Sequence, residues 1–406
     1  MRVALFTDSF HETNGVGTFC REHLEYARRL DLPFLCVFGS QRTAFARAGR
    51  VCTLELRRGP LAFKVDADVL FDPALGRHLA RTVSQLRAFG PDLVHITGPG
   101  DVSLVGIVAA HIVGVPVMAS WHTNLHEYAQ RRLDASLRWL PEGPRLRLSR
   151  GAEWAALWVL TQYYRSTHFV AAPNREMVRM LEQRTGRPAW LIEHGVNTAL
   201  FSPDRRRPTS DTRFVIGHVG RLTPEKNVRA LVDLERALLD AGERDFRMLV
   251  VGAGSELPWL RAHLRTAAFT GPLYGEALAA AFADMDAFVF PSRTDTFGLV
   301  NLEAMASGVP VIAAPGVAAR AGVVHGVDGL GSDDFAGSVR HLMHSRAVRD
   351  RMGAAARVNA GLRGWRGVFD ALHTVYRDGL SAEQTQRRMP TRRFEPIGRH
   401  LPGPSR

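Results

Sequence analysis

The sequence predicts an α/β protein built as two similar units, each a mostly parallel sheet covered by helices. Three observations carry that prediction. Short apolar runs rich in Val, Ile and Phe alternate with stretches of helical periodicity along most of the chain, the pattern of strands buried on both faces. The first run, Val3 to Thr7, leads through a glycine-containing loop into a helix, the opening of a Rossmann-like unit. A polar, proline-containing stretch from Arg205 to Thr212 is then followed by a restart of the same pattern.

Composition bounds what such a chain can do. At 406 residues, with 46% hydrophobic and 23% charged residues, it fits a soluble protein of two to three domains. No apolar run is long enough to span a bilayer. Met1 to Asp8 turns polar too soon for a signal peptide and reads as the first strand. Cys20, Cys36 and Cys52 are odd in number and lack CxxC spacing, which argues against disulfides and zinc and fits a reducing cytoplasm. The net charge of +12 implies an anionic partner: nucleotide phosphates, an anionic membrane surface or nucleic acid.

In the first unit, Asp8 to Gly17 reads as a loop and Thr18 to Leu30 as a helix. There is no GxGxxG, so a dinucleotide site is poorly supported. Gly15 and Gly17 suit either a tight turn or a close approach of backbone to ligand. Leu32 to Gly39 and Val51 to Leu56 read as strands, Gly59 to Pro73 as a loop, and Phe71 to Phe89 as a helix. Asp92 to Thr97 is a strand feeding a helix through Ala110, and Val115 to Ser120 is the next strand. It ends in Trp121-His122-Thr123-Asn124. A histidine at the carboxyl end of a parallel strand faces the ligand crevice, which makes His122 a candidate, with His95 and His126 behind it. Arg131 to Arg150 is basic, with Trp139 and Leu140 interleaved. Arg131, Arg132, Arg138, Arg145, Arg147 and Arg150 fit a helix lying on lipid headgroups, or equally a solvated helix packed on its own domain. A helix (Glu153 to Arg165), a strand (His168 to Ala172), a helix (Asn174 to Thr185) and a strand (Trp190 to Ile192) complete the unit.

The second unit starts with a strand, Phe214 to Val219, and a loop, Gly220 to Asn227. Arg221 and Lys226, five apart across a turn, can converge on one diphosphate, the first as a fork and the second as a point charge. Phe246 to Val251 is a strand, Gly252-Ala-Gly254 a turn, Glu276 to Ala283 a helix, and Ala287 to Pro291 a strand. Asp295 lies in the next loop, Phe297-Gly298 makes a turn, and Leu299 to Ala306 is a helix containing Glu303. Its N-terminus offers N–H groups and partial positive charge to a phosphate. Asp295 and Glu303 can grip opposite edges of a small polar ligand. Val309 to Ala313 is a strand, Pro315 to Val317 a loop, Asp333 to Gly361 helical, and Trp365 to Tyr376 a final helix. From Ser381 an Arg- and Pro-rich tail reads as disordered. Two Asp-x-Asp pairs, Asp66/Asp68 and Asp284/Asp286, read as local caps or pairs, not metal ligands.

Taken together, Pro291-Ser292, Asp295-Thr-Phe-Gly298, Glu303-Ala-Met-Ala-Ser-Gly308 and Pro310-Val311 resemble the signature of glycosyltransferase family 4, retaining sugar-nucleotide-dependent enzymes of the GT-B fold. Further matches are Gly220-Arg221, Glu225-Lys-Asn227, Asn14-Gly-Val-Gly17, Trp121-His-Thr123, Gly195-Val-Asn197 with Phe201 and Pro203, and Asp328-Gly-Leu330. Asp295 stands where the family usually has Glu, and Asn197 where it has Asp. The resemblance reaches to about residue 378. It implies two Rossmann-like domains facing a central cleft: 1–204 on the acceptor side with a final helix, 365–378, crossing back; 205–364 on the donor side; and a basic tail, 381–406. It implies retaining transfer of a mannose- or glucose-type hexose from a nucleoside diphosphate sugar to a hydroxyl of a lipid or glycan. Arg221 and Lys226 would neutralise the diphosphate, Glu303 hold the ribose, and Asp295 and His122 hold the sugar. Gly15, Gly17 and the N–H groups of Phe297, Gly298, Leu299 and Val300 would approach phosphate and sugar. Gly252, Gly271 and Leu273 would meet the base, and Asn14, Glu127 and Tyr128 the acceptor. No metal or other cofactor is implied, and no nucleic acid. The basic segment favours a cytoplasmic protein docked peripherally on the inner face of the plasma membrane. Thr294-Asp-Thr-Phe-Gly298 resembles members that use GDP-mannose, with UDP-sugars also open. Two alternatives differ in class. A non-transferring relative resembling a sugar-nucleotide epimerase is opposed by Asp295 and Glu303. A basic anion- or nucleic-acid-binding protein is opposed by a short tail and no aromatic platform.

Overall fold

The computed structural model describes residues 1–12, 14–64 and 70–388. Two sheets organise it. The first has β1 (Val3–Thr7), β2 (Phe34–Ser40), β3 (Ala44–Ala48), β4 (Val51–Arg57), β7 (Leu93–Ile96), β8 (Val117–Ser120), β9 (Phe169–Ala172) and β10 (Ala189–Leu191), in the order β10-β9-β8-β7-β1-β2-β4-β3. Between β4 and β7 lies a small hairpin, β5 (Phe63–Lys64) and β6 (Leu70–Phe71). All pairs in the eight-stranded sheet are parallel except β3 with β4. β1 is central and buried throughout. Its side chains alternate between two cores, as the pleat requires. Ala4 and Phe6 join Val94, Ile96, Val102 and Tyr164 on one face. Val3 and Leu5 join Phe19, Phe369, Leu372 and Tyr376 on the other. That second face is covered partly by helix Trp365–Arg388, which returns to it from the far end of the chain.

The second sheet has β11 (Phe214–Val219), β12 (Phe246–Val251), β13 (Ala267–Gly271), β14 (Ala287–Phe290), β15 (Val311–Ala313) and β16 (Gly329–Gly331), in the order β13-β12-β11-β14-β15-β16, all parallel. Cores form on both of its faces.

Several local expectations differ. The first helix begins at Gly15, because the Asn14 side chain caps it by accepting from the Gly17 N–H at 2.8 Å; Gly15 and Gly17 are the helix's first turn, not a loop. The stretch 59–73 holds the hairpin. The helix expected from Phe71 starts as a 3₁₀ turn at Leu75–His78 and becomes α-helical at Leu79–Phe89. Pro315 sits at the N-terminus of a short helix, Pro315–Arg320, where its missing N–H does no harm. The helix expected over 333–361 breaks at Ser345 into Phe335–His344 and Arg346–Gly361. The last helix runs through Arg388, past the expected tail start at Ser381. The Asp66/Asp68 pair and residues 389–406 lie outside the described residues.

Candidate active site between the two sheets

The cleft lies at the carboxyl ends of both sets of strands. On the second sheet's side, β11 turns at Gly220 and delivers Arg221 and Lys226 within one loop. Gly252 holds that turn in place: a Cβ there would sit 1.9 Å from the Gly220 carbonyl oxygen, so only glycine lets the two backbones pack. The Gly252 N–H donates to the Gly271 carbonyl at 3.0 Å, so these two positions are bonded to each other. Leu273 packs against the adjoining core.

Lys226 reaches across to Asp295, Nζ to Oδ1 at 2.5 Å. Burial works against both charges. For Asp295 the Lys226 ammonium and neighbouring donors outweigh burial and hold the carboxyl below its ordinary value. For Lys226 the carboxylate likewise outweighs burial and raises the ammonium. Asp295 is thus tied first to Lys226, and its buried Oδ2 has no hydrogen-bond partner among the described residues. Arg221 stands 3.9 Å from the buried Glu225 carboxylate and over the ring of Tyr128, 5.8 Å from its centroid. Arg132, from the other side of the cleft, comes within 3.8 Å of the same Glu225 oxygen. A predicted acceptor-side residue and a predicted phosphate ligand therefore meet. Helix Leu299–Ala306 starts behind Gly298, and Glu303 one turn further carries a carboxyl that burial pushes up to about 7. Nothing pairs with that carboxyl among the described residues.

The first sheet supplies the facing wall. β8 ends at Ser120, placing His122 at the strand's carboxyl end and almost fully buried. Burial, then the nearby His194 and His95, push its imidazole well below the usual range, so it is neutral. His122 Nε2 is 2.8 Å from Ser120 Oγ, and its Nδ1 is buried without a partner. The His194 ring meets His122 edge-on at 5.3 Å and stacks on Phe297 at 5.0 Å.

The loop after β14 latches the two walls together. Thr296 Oγ1 donates to the His122 carbonyl at 2.7 Å, Asn174 Nδ2 to the Thr296 carbonyl at 2.7 Å, and Asn124 Nδ2 to the Thr294 carbonyl at 3.4 Å. Gly15 completes the closure: a Cβ on it would lie 3.8 Å from Leu299 Cβ. Gly17 is more constrained, since its Cβ would fall 2.4 Å from the Glu12 carbonyl.

His122, Arg221, Lys226, Asp295, Phe297, Gly298, Leu299, Gly15 and Tyr128 are thus gathered about one cleft. Asn14 Nδ2 is spent on Glu12, and Glu127 accepts from Asn124 at 2.7 Å. Gly252 and Gly271 serve the local backbone. Val300 follows Leu299 in the helix's first turn and packs against the second core. The predicted basic segment is divided. Arg131 and Arg132 belong to helix Leu125–Ser136, while Arg145, Arg147 and Arg150 belong to helix Glu142–Arg165. Arg145 pairs with Asp134 at 3.0 Å, and Arg132 faces Glu225. The large exposed apolar side chains are mostly further along, at Leu148, Trp154, Trp158 and Val159, with Trp139 between the helices. Residues missed from the sequence are Glu225, Asn174, Ser120 and His194. Asn174 carried a usable signal: it follows β9 and caps helix Arg175–Thr185, so it sits at a strand's carboxyl end beside the cleft. Asp284 and Asp286 accept from Arg207 and Arg206. Among the described residues no group of three or more His, Cys, Asp or Glu is arranged to hold a metal ion.

Comparison with known proteins adds to this geometry. Residues 13–200 match a sequence profile described as Glycosyltransferase Family 4, and residues 213–345 one described as Glycosyl transferases group 1. The chain is 32% identical over 388 residues to the GDP-mannose-dependent alpha-mannosyltransferase of Mycolicibacterium smegmatis, covering 92% of this chain and 96% of that one. It is 31% identical to the protein of the same name from Mycobacterium tuberculosis, covering 95% and 99%. Among solved structures, sucrose-phosphate synthase from Thermosynechococcus elongatus superposes with a TM-score of 0.68 at 18% identity, covering 94% of this chain and 100% of the other. The Anabaena HepE protein in complex with UDP and glucose gives 0.64 at 18% identity, covering 93% and 100%. These structural likenesses speak to the fold, the GT-B arrangement of two parallel-sheet domains.

Proposed function

Because the chain belongs to glycosyltransferase family 4 and is a hexosyltransferase that uses a nucleotide sugar, we propose that it moves mannose from GDP-mannose, with retention, to a hydroxyl of a lipid-linked acceptor. The observation that carries this reading is the pairing of Lys226 with Asp295, in the loop that leads into helix Leu299–Ala306, with Arg221 close enough to act on the charge of both. Two cations and a ring of helix N–H groups can stabilise a diphosphate as it leaves, without a metal. Lys226 stays charged while the site is empty because Asp295 partners it. When the diphosphate arrives, the ammonium is shared, and Asp295 Oδ2 is left to accept from a sugar hydroxyl. Glu303 accepts from the ribose hydroxyls. His122, neutral and buried, donates to or accepts from the sugar across the cleft.

GDP-mannose is favoured by Thr294-Asp-Thr-Phe-Gly298 and by the names of the relatives. A lipid acceptor is favoured by the exposed row of Leu148, Trp154, Trp158 and Val159 beside Arg147 and Arg150. Such a face suits the boundary between anionic headgroups and acyl chains. No described helix is long and apolar enough to cross a membrane.

The test is a thermal-shift panel of GDP, UDP, ADP and dTDP, each with and without magnesium. A ligand that binds only the native state raises the midpoint. A shift with GDP alone, equal with and without magnesium, is the expected result. A shift with UDP alone would overturn the base assignment, and a shift only with magnesium would overturn the metal-free site. Sedimentation with vesicles containing or lacking anionic lipid tests the membrane face; equal sedimentation in both would overturn it.

A further inference from the structure

His122 is one end of a buried chain of hydrogen bonds that the chemistry above does not use. Its Nε2 is 2.8 Å from Ser120 Oγ. Ser120 Oγ is 2.8 Å from His95 Nε2, and His95 Nδ1 is 2.7 Å from the hydroxyl of Tyr376. Tyr376 lies on helix Trp365–Arg388, so the chain runs from the cleft through the first sheet to the helix that crosses back. Tyr376 and His95 are fully buried, and Ser120 nearly so.

As long as Ser120 donates to an imidazole, such a chain can be polarised in two ways, since each hydroxyl has one proton and each neutral imidazole one N–H. In the first, Tyr376 donates to His95 Nδ1, His95 Nε2–H donates to Ser120, and Ser120 donates to His122 Nε2. His122 then carries its proton on Nδ1. In the second, every bond reverses: His122 Nε2–H donates to Ser120, Ser120 to His95 Nε2, and His95 Nδ1–H to Tyr376. The phenol proton then needs another acceptor. Tyr376 has none among the described residues, since its hydroxyl meets His95 alone. The second arrangement buries two orphans, the phenol proton and His122 Nδ1. The first leaves one, the Nδ1–H of His122, which is buried with no partner among the described residues. Burying a second unmade donor is costly enough to select the first. Ser120 has one further acceptor nearby, the Ile96 carbonyl at 3.4 Å, which is too long to compete with His122 at 2.8 Å.

We propose that Tyr376, acting through His95 and Ser120, fixes the tautomer of His122, so that His122 presents an Nδ1–H donor to a hydroxyl of the sugar being transferred. Tyr376, His95 and Ser120 are positioning residues, and only His122 touches substrate. The proposal rests on the reading that His122 faces the sugar. A fixed donor selects a hydroxyl with a lone pair turned toward it, and it leaves His122 unable to accept a proton at that nitrogen.

The test reads the tautomer directly. In full-length protein labelled with nitrogen-15 at histidine, the His122 signals are assigned by their loss in His122→Gln. The expected spectrum has a protonated Nδ1 and an unprotonated Nε2. A protonated Nε2 would overturn the proposal. Tyr376→Phe keeps the ring and removes the proton source. It should let His122 populate both tautomers and lower kcat about tenfold, the worth of one hydrogen bond, with little change in the donor KM. Ser120→Ala breaks the chain nearer the cleft and should likewise mix the tautomers. Unchanged tautomers in both variants would overturn the proposal. Full activity in His122→Ala would instead remove the reading beneath it, and leave the tautomer result standing.

Discussion

On one wall of the cleft the ionisable groups are paired with opposite charges: Lys226 with Asp295, and Arg221 with Glu225. On the other they are imidazoles that burial keeps neutral: His122, His194 and His95. The difference follows from what each wall would meet. A diphosphate brings negative charge, and only cations or N–H dipoles can hold it. The sugar carbon becomes more positive as its bond to phosphate breaks, and a protonated imidazole beside it would oppose that change. A wall of neutral rings offers hydrogen bonds without that repulsion.

Acid should break the neutral wall first. A histidine whose folded pKa lies below its unfolded value takes up protons on unfolding, so stability is full above about 6.5 and falls as pH drops toward the folded value. His194, His126, His218 and His373 are all lowered to about 4, and His95 to about 3. Glu303 and Asp8, both raised to about 7, work in the opposite direction but are two groups against these five. Two such histidines alone could offset a stability of about 5 kcal/mol. The protein is therefore expected to unfold between pH 6.5 and 4, with uptake of more than one proton, while Asp295 still holds its charge. Circular dichroism against pH checks this; a flat trace to pH 4 would refute it.

The charged wall should break by substitution. Lys226→Met should lower turnover by about 10²–10³. It should also lower stability by about 3–5 kcal/mol, because Asp295 is left buried and unpaired. Lys226→Met with Asp295→Leu should recover the stability and not the turnover. Recovery of turnover in that double variant would make the pair structural. Arg221 is more exposed, so Arg221→Ala should leave the fold intact and lower turnover by about 10–10², measured as donor consumption.

The smallest expected effect sharpens the contrast within the charged wall. Glu303 has no partner among the described residues, and burial raises its carboxyl to about 7. The donor KM should fall a few-fold between pH 6 and pH 8 as the carboxylate forms, and Glu303→Gln should flatten that dependence. A KM equally pH-dependent in Glu303→Gln would exclude Glu303 from the ribose.

Much of this was legible because the signals were local. The strands of both sheets announce themselves as apolar runs, and Arg221, Lys226, Asp295 and Glu303 sit in motifs of fixed spacing. What escaped was set by distance. Glu225 is legible as part of the Glu225-Lys-Asn227 match, but not as the acid that Arg221 and Arg132 approach from both walls. Ser120 and His95 look like interior strand residues until Tyr376 arrives from a helix 281 positions away. Gly252 signals a close approach in the sequence, but only the fold shows that one close neighbour is the Gly220 carbonyl. The basic run 131–150 looked continuous because charge is read along the chain, while the break at Pro141 and the Arg145–Asp134 pair belong to the fold.

The crossing helix also sets the order in which the protein can be made. One face of the first sheet, with Val3, Leu5 and Leu93, is covered in part by Phe369, Leu372 and Tyr376. Those side chains emerge from the ribosome long after the strands they cover. At roughly 5–20 residues per second, the first domain waits about ten to forty seconds with that face incomplete. A chain arrested before Trp365 would carry a greasy, unfinished sheet, the kind of surface on which chaperones of the translation machinery act.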